Sequence, residues 1–263
     1  MDQNDMMVYS HEYLLETAKA TKKIKQQSYI LLGNIKGKKI LDLGCGNGID
    51  VLKLAVYVED HGKVIGIDKN INLLKEAKEN LSKTNFNNVQ FIQADAENIP
   101  FENEYFDAIR VERVFQHLVN PRKVIQEIKR VLKWNSQLVI VETDWASLSI
   151  FTENHEIEKK LINYLVYKFI NNGLASRLLI EYLCSVSFKN IHTEMFPSVI
   201  PSYHMANQFI KLEEIANKAI KEGDLEKDVY LKWLKQVHQS DLKRNFKCCL
   251  NMLTVSARKM KTL

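Results

Sequence analysis

Three aspartates and a run of alternating glycines mark the part of this chain best equipped for chemistry. In "ILDLGCGNGIDVLKLA" the glycines fall at 44, 46 and 48, interleaved with Cys45 and Asn47, and Asp42 stands just ahead of them. Asp68 ends the run "KVIGID", and Asp95 lies in "QADAENIPF". Glycine lets backbone approach a ligand closely, and a helix start beyond the loop offers free N–H groups and a positive dipole end. A dinucleotide loop would read G-x-G-x-x-G, whereas this one reads G-x-G-x-G with Ile at position 49, and the Lys-Ser/Thr of a phosphate-binding loop is absent. A second group follows in "FDAIRVERVFQHLVNP", where Glu112, Arg113 and His117 flank the end of another apolar run. An imidazole titrates near neutrality and could take a proton from a hydroxyl, so His117 and Glu112 are the catalytic candidates. The competing reading of His117, a helix residue packing beneath the loop, is the stronger of the two.

These residues need a frame. From Lys38 to about Val141 short β-branched runs alternate with helical patterns, the signature of a parallel sheet wound with helices. The strands read as "KKILDLG", "KVIGID", "VQFIQAD", "FDAIRVE" and "SQLVIVETD". The helices read as "NGIDVLKLAVYV", "NINLLKEAKENLSKT" and "PRKVIQEIKRVLK", the last with Pro121 at its start. In such sheets ligands bind at the carboxyl ends of the strands, which is where the glycine loop, Asp42, Asp68 and Glu112 fall. After Asp144 the pattern changes to helices in "NHEIEKKLINYLVYKFINNG", "LASRLLIEYLCSVSF", "MANQFIKLEEIANKAIKEG" and "DLEKDVYLKWLKQVHQ". "KNIHTEMFPSVI" is a strand candidate and "FKCCLNMLTVSARKM" a final strand.

With these elements in place, "LDLGCGNG" resembles motif I of the class I S-adenosylmethionine-dependent methyltransferases. "QADAENIPF" is similar to their third motif, "FDAIRVERVFQHLVNP" to their fourth, and "EIKRVLKWNSQLVIVETD" to their fifth-strand region. The remainder looks more loosely like the small-molecule branch related to quinone-biosynthesis methyltransferases. One departure is the fifth-strand turn, which reads "WNS" (Trp134 to Ser136) where the family has Pro-Gly-Gly. The resemblance implies an α/β, doubly wound, mostly parallel seven-stranded sheet of the Rossmann-like methyltransferase type with helical cap insertions. It divides a single domain into a helical lid (1–37), a cofactor core (38–144), cap insertions with a sixth strand (145–245) and a final strand (246–260).

The resemblance also implies S-adenosyl-L-methionine as cofactor and assigns contacts. Asp42 would meet the methionyl ammonium, and the Gly44–Gly48 amides with Cys45 and Asn47 would lie along the methionyl part, beside the Val111 backbone. Asp68, with Lys69 next to it, would hold the ribose hydroxyls, and Asp95 and the Ala96 N–H the adenine. Glu112 and Arg113 could orient an acceptor or the cofactor carboxylate, and Asp144 is a further wall candidate. His11 and Tyr13 are wall candidates too, and Tyr9, Ser10 and Tyr13 are lid candidates over the cofactor, with Tyr13 counted among its contacts. Asp42 and Asp68 could instead be loop-ordering carboxylates and Asp95 a turn cap, while Cys45 reads as a small buried side chain rather than a nucleophile.

Composition narrows the partners. The 263 residues are 46% hydrophobic and 26% charged, with a net charge of +5 and lysines interleaved with glutamates. No basic stripe with aromatics points to nucleic acid, and no apolar run approaches the roughly 18–20 residues of a membrane span. The four cysteines lack metal or disulfide spacing, which fits a reducing cytoplasm. Aromatic residues of the insertions, among them Trp145, Phe169, Tyr203 and Trp233, read mainly as cap core, and an apolar cap suits a hydrophobic or aromatic small acceptor. The expected reaction is in-line methyl transfer to that acceptor, with a homodimer left open. The alternatives are a cofactor-binding module without turnover and a nicotinamide-dependent oxidoreductase.

Overall fold

The computed structural model describes residues 21–261, so the lid and wall candidates Tyr9, Ser10, His11 and Tyr13 lie outside the described residues. Helix α1 (Lys22–Leu31) precedes β1 (Lys39–Leu43), α2 (Ile49–Val58), β2 (Lys63–Asp68), α3 (Ile71–Ser82), β3 (Val89–Gln93) and β4 (Phe106–Glu112). A single tight turn, Phe115–His117, leads to α4 (Pro121–Val131) and the long strand β5 (Leu132–Ile150). The cap follows as α5 (His155–Tyr164), a wide turn Leu165–Phe169, and α6 (Ala175–Ser185). After β6 (Lys189–Ile200) come α7 (Tyr203–Ile210), α8 (Leu212–Lys221), α9 (Lys227–Leu242) and β7 (Cys248–Lys259).

The strands form one seven-stranded sheet in the order β3-β2-β1-β4-β5-β7-β6. The first five are parallel, and β7 runs antiparallel to both β5 and β6. The doubly wound, mostly parallel sheet expected from the alternation is therefore present.

Side chains alternate across a strand, and the apolar sets divide accordingly. Leu41, Leu43, Ile65, Ile67, Ile109 and Val111 pack with α4 and α6 on one face. Ile40, Val64, Ala108 and Val139 pack with α1, α2 and α3 on the other. Both faces are covered, which is why these strands read as nearly continuous apolar runs. Asp42 and Arg110 take the alternate positions on the α1/α2 side, opposite each other in the β1–β4 ladder.

Two local readings are refined. The fifth strand begins four residues before Ser136, and the ladder slips there, with Phe106 opposite Leu132 but Ala108 opposite Gln137. Asn135 takes φ 60 within this irregularity. Asn tolerates the left-handed conformation better than most side chains, so "WNS" turns where the family uses glycine. The stretch read as one helix from Met205 breaks at Lys211, whose φ of 63 ends α7 and starts α8. Apolar spacing carried on across that break, and a single left-handed residue leaves no mark in it.

Candidate active site

The glycine loop is shaped by what surrounds it. Gly44 has φ +73, and a Cβ there would stand 2.2 Å from a methyl of Val114. Gly48 has φ +78, and its Cβ would strike the Phe91 ring. Gly46, at φ +54, faces open space. The loop amides are mostly committed internally: Gly44 and Cys45 donate to the Ile67 carbonyl at 2.7 and 3.0 Å, and Gly48 to Cys45 at 3.0 Å. Gly46 donates to Asp68 Oδ2 at 2.8 Å, while Asn70 donates to Asp68 Oδ1 at 2.8 Å. The loop thus aims the Asp68 carboxylate more than it offers free N–H groups, a correction to the expected row of ligand-facing amides. A carboxylate has about four lone-pair sites, so two remain for ribose hydroxyls.

Over the carboxyl ends of the strands lies a cavity of about 350 Å³. Its wall includes Gly44, Gly46, Asp68, Lys69, Asp95 and Ala96, together with Glu112, Arg113 and His117. The cradle at Gly46 and the oriented Asp68 fit the adenosyl cofactor that the sequence implies. Asp95 Oδ1 also accepts the Glu97 N–H at 2.9 Å, so it orders its own turn while lining the cavity.

Other expected residues lie elsewhere. Asp42, Cys45, Asn47, Gly48 and Val111 are buried or half-buried outside the cavity wall. Burial, with Asp42 and Asp68 nearby, pushes the Cys45 thiol well above its ordinary range, as a packing residue rather than a nucleophile requires. Asp144 is buried and accepts from Arg177 Nε at 2.9 Å and Ser176 Oγ at 3.3 Å, fastening α6 rather than walling the cavity. None of the residues lining the cavity comes from the cap insertions. Trp145, Tyr164, Tyr203 and Trp233 instead form a separate buried cluster with α5 and α7–α9. The insertion aromatics are cap core, as read from the sequence, and because their apolar faces are consumed by one another the cap supplies none of the described cavity wall.

Beneath the cavity, on the α1/α2 face, is a buried ionic network that the motif reading passed over. Arg110, with no exposed side-chain surface, donates Nη1 to Asp42 Oδ1 at 3.1 Å and Nε to Ser28 Oγ at 2.9 Å. Its Nη2 bonds Glu112, and its guanidinium lies 5.1 Å from the centre of the Tyr29 ring. Lys25 pairs with Asp50 and reaches Glu112 Oε2 at 3.1 Å, while the Tyr29 hydroxyl donates to Asp50. These contacts tie α1, α2, β1 and β4 together. Burial lifts the Asp42 carboxyl to about 7 despite Arg110, with Asp50 and Glu112 adding to the rise. Burial also acts on Asp50 and Glu112, but Arg110 and Lys25 outweigh it and hold both low. Pairing with these cations lowers the proton affinity of Glu112, which makes it a weak base and argues against its expected role as general base. A charged residue midway through "FDAIRVE" was the available signal for this network.

His117 reaches the cavity from the Phe115–His117 turn, and burial, then Arg113 and Lys69, lower its pKa to about 4. It is a neutral imidazole at physiological pH.

A doubly wound sheet with a glycine turn after β1, an acidic residue ending β2 and another just past β3 defines the class I S-adenosylmethionine-dependent methyltransferase fold. The chain belongs to the methyltransferase domain family, whose model matches residues 34–196. The family's cofactor is S-adenosyl-L-methionine. An uncharacterized transposon-borne protein of Streptomyces fradiae is 30% identical over 220 residues, covering 84% of this chain and 63% of that protein. A demethylmenaquinone methyltransferase of Lactococcus lactis is 35% identical over 126 residues, covering 48% of this chain and 50% of that protein. The chain thus spans between half and two thirds of the length of these relatives. A solved putative methyltransferase of Bacillus halodurans shares the fold, with a TM-score of 0.65 and 18% identity over 91% of this chain and 100% of that one. No helix among the described residues is long and apolar enough to cross a membrane.

Proposed function

We propose that the protein transfers a methyl group from S-adenosylmethionine to a small organic acceptor held in the cavity beside His117. The observation that carries this reading is the Asp68 carboxylate, aimed by two backbone N–H groups at the edge of the cavity beside Gly46. When bound, the cofactor supplies a methyl already activated by its sulfonium, so the protein's tasks are to orient two molecules and exclude water. In this reading Asp68 holds the ribose and the Asp95–Ala96 turn the adenine. Glu112, the network carboxylate on the cavity wall, takes the methionyl ammonium in place of Asp42. Its Oε1 is buried and has no hydrogen-bond partner among the described residues, although Arg113 Nε is 3.7 Å away. In the same reading Arg113, on the cavity wall, meets the methionyl carboxylate.

The acceptor side of the cavity combines Leu118, Val119 and Val114 with Gln116 and His117. Its apolar share supports a hydrophobic or aromatic acceptor, in keeping with the quinone chemistry named for the Lactococcus lactis relative. Transfer by in-line displacement needs no metal ligand and no covalent nucleophile from the chain.

The test is incubation with isotopically methyl-labelled cofactor and pools of small metabolites, read by mass. Labelled product from the wild type, abolished in Asp68→Ala, is the expected result. Tight binding of S-adenosylhomocysteine with no labelled product from any pool would support the binding-module alternative, and no binding would overturn the reading.

A further inference from the structure

His117 sits at the end of a hydrogen-bond chain that begins on β5, where Trp145 packs against the cap. The Trp145 indole Nε1 lies 2.7 Å from Gln116 Oε1, and Gln116 Nε2 lies 2.9 Å from His117 Nε2. An indole N–H only donates, so the atom it meets must be the amide oxygen. The amide NH₂ is then turned toward the imidazole, and because it too only donates, His117 Nε2 must accept. The opposite amide orientation would set two donors against each other at the indole, and a proton on His117 Nε2 would do so at the ring.

The Gln116 side chain is held for this task. The residue is 2% exposed and its backbone is pinned on both sides: the main-chain N–H donates to Glu142 Oε2 at 3.2 Å, and the main-chain carbonyl accepts from the Asn172 N–H at 3.0 Å. The same cap segment grips the turn twice more, as Asn172 Nδ2 donates to the Phe115 carbonyl at 3.1 Å and Asn171 Nδ2 to the His117 carbonyl at 3.3 Å. The cap therefore reaches the cavity through this turn although it does not line it.

We infer that Trp145 and Gln116 are positioning residues that lock His117 in its Nδ1–H tautomer, so that the imidazole serves the methyl-transfer site as a hydrogen-bond donor and not as a general base through Nε2. The inference rests on the reading of this cavity as the methyl-transfer site for its purpose, but the tautomer itself is independent of it. The neutral state of His117 agrees with the assignment, since protonating Nε2 would oppose the amide NH₂.

The measurement is long-range ¹H–¹⁵N NMR of the ¹⁵N-histidine-labelled full chain at neutral pH without added ligands, with His117→Gln identifying the His117 signals among the seven histidines. The expected spectrum has a pyrrole-type Nδ1 and a pyridine-type Nε2. In Gln116→Glu the carboxylate accepts from both neighbours, so the His117 proton should move to Nε2 or the ring should become cationic. Trp145→Phe frees the amide to flip and should give a mixture of tautomers. Should either variant fail to fold, the wild-type spectrum and the other variant still decide. A wild-type Nε2–H signal or an even tautomer mixture overturns the inference, as does an unchanged tautomer in the folded variants. In parallel, calorimetric binding of S-adenosylhomocysteine tests the site: its absence overturns the proposed function and leaves the tautomer result intact.

Discussion

Arg110→Met separates the network's role from that of ordinary surface charge. The substitution roughly keeps the side-chain volume and leaves Asp42, Asp50 and Glu112 with Lys25, and with Arg113 beside Glu112. Arg110 stands 3.1 Å from Asp42 and 3.7 Å from Asp50, and has no exposed side-chain surface. At an effective dielectric near 20, one such contact is worth about 4 kcal/mol before desolvation is charged against it. Removing one member of a buried ionic cluster costs ~3–5 kcal/mol, because the carboxylates left behind stay buried. For a chain of this size each kcal/mol lowers the melting temperature by about 2–4 °C, so the expected drop is about 6–20 °C.

The cost should also depend on pH. Without Arg110 the carboxylates in the folded state have pKa values above those of the unfolded chain, so the folded state binds more protons. Stability of the variant then falls as pH rises from about 5 to 8, and lowering the pH recovers part of it. Asp42→Asn in the Arg110→Met background should restore part of the loss, since it removes one stranded charge. Urea midpoints at both pH values measure all of this. Breaking the exposed Arg122–Glu181 pair, whose side chains are each 57% exposed, should cost about 0–1 kcal/mol and serves as control. A loss for Arg110→Met no larger than the control, or strict additivity with Asp42→Asn, refutes the reasoning.

Three further outcomes are expected. Asp68→Ala should weaken S-adenosylhomocysteine binding about 100-fold or more by calorimetry, because two charge-assisted hydrogen bonds worth ~1.5–3 kcal/mol each are lost. Gly44→Ala should destabilise by about 2–5 kcal/mol through its left-handed backbone and its clash with Val114, whereas Gly46→Ala should cost about 1–2 kcal/mol and mainly reduce cofactor affinity; equal urea midpoints for the two would contradict the loop geometry. With the His117 pKa lowered to about 4 by burial and by Arg113 and Lys69, turnover should show no ionisation of this residue between pH 5.5 and 7.5 (about one unit either side of a free imidazole). A rate limb near 6.5 that disappears in His117→Gln would contradict that assignment.

The alternation of β-branched runs and helical patterns was enough to determine a parallel, doubly wound sheet, because each strand is buried on both faces by the helices beside it. Strand boundaries such as Lys63–Asp68 and Phe106–Glu112 follow from local composition alone. The glycine spacing, Asp68 and Asp95 were legible for the same reason: each lies within a few residues of a strand end, and the strand ends meet. Contacts across long sequence separations were not legible. Nothing local in "LDLG" says that Asp42 faces Arg110 across 68 residues, or that the side chain turns beneath the sheet instead of into the cavity. Nor does the apolar pattern of the insertions say whether their faces meet a ligand or each other, since both require the same residues. The link from Trp145 through Gln116 to His117 belongs to tertiary structure for the same reason. It depends on the cap closing on the Phe115–His117 turn, where donor and acceptor roles at three side chains are set by which atoms come within reach.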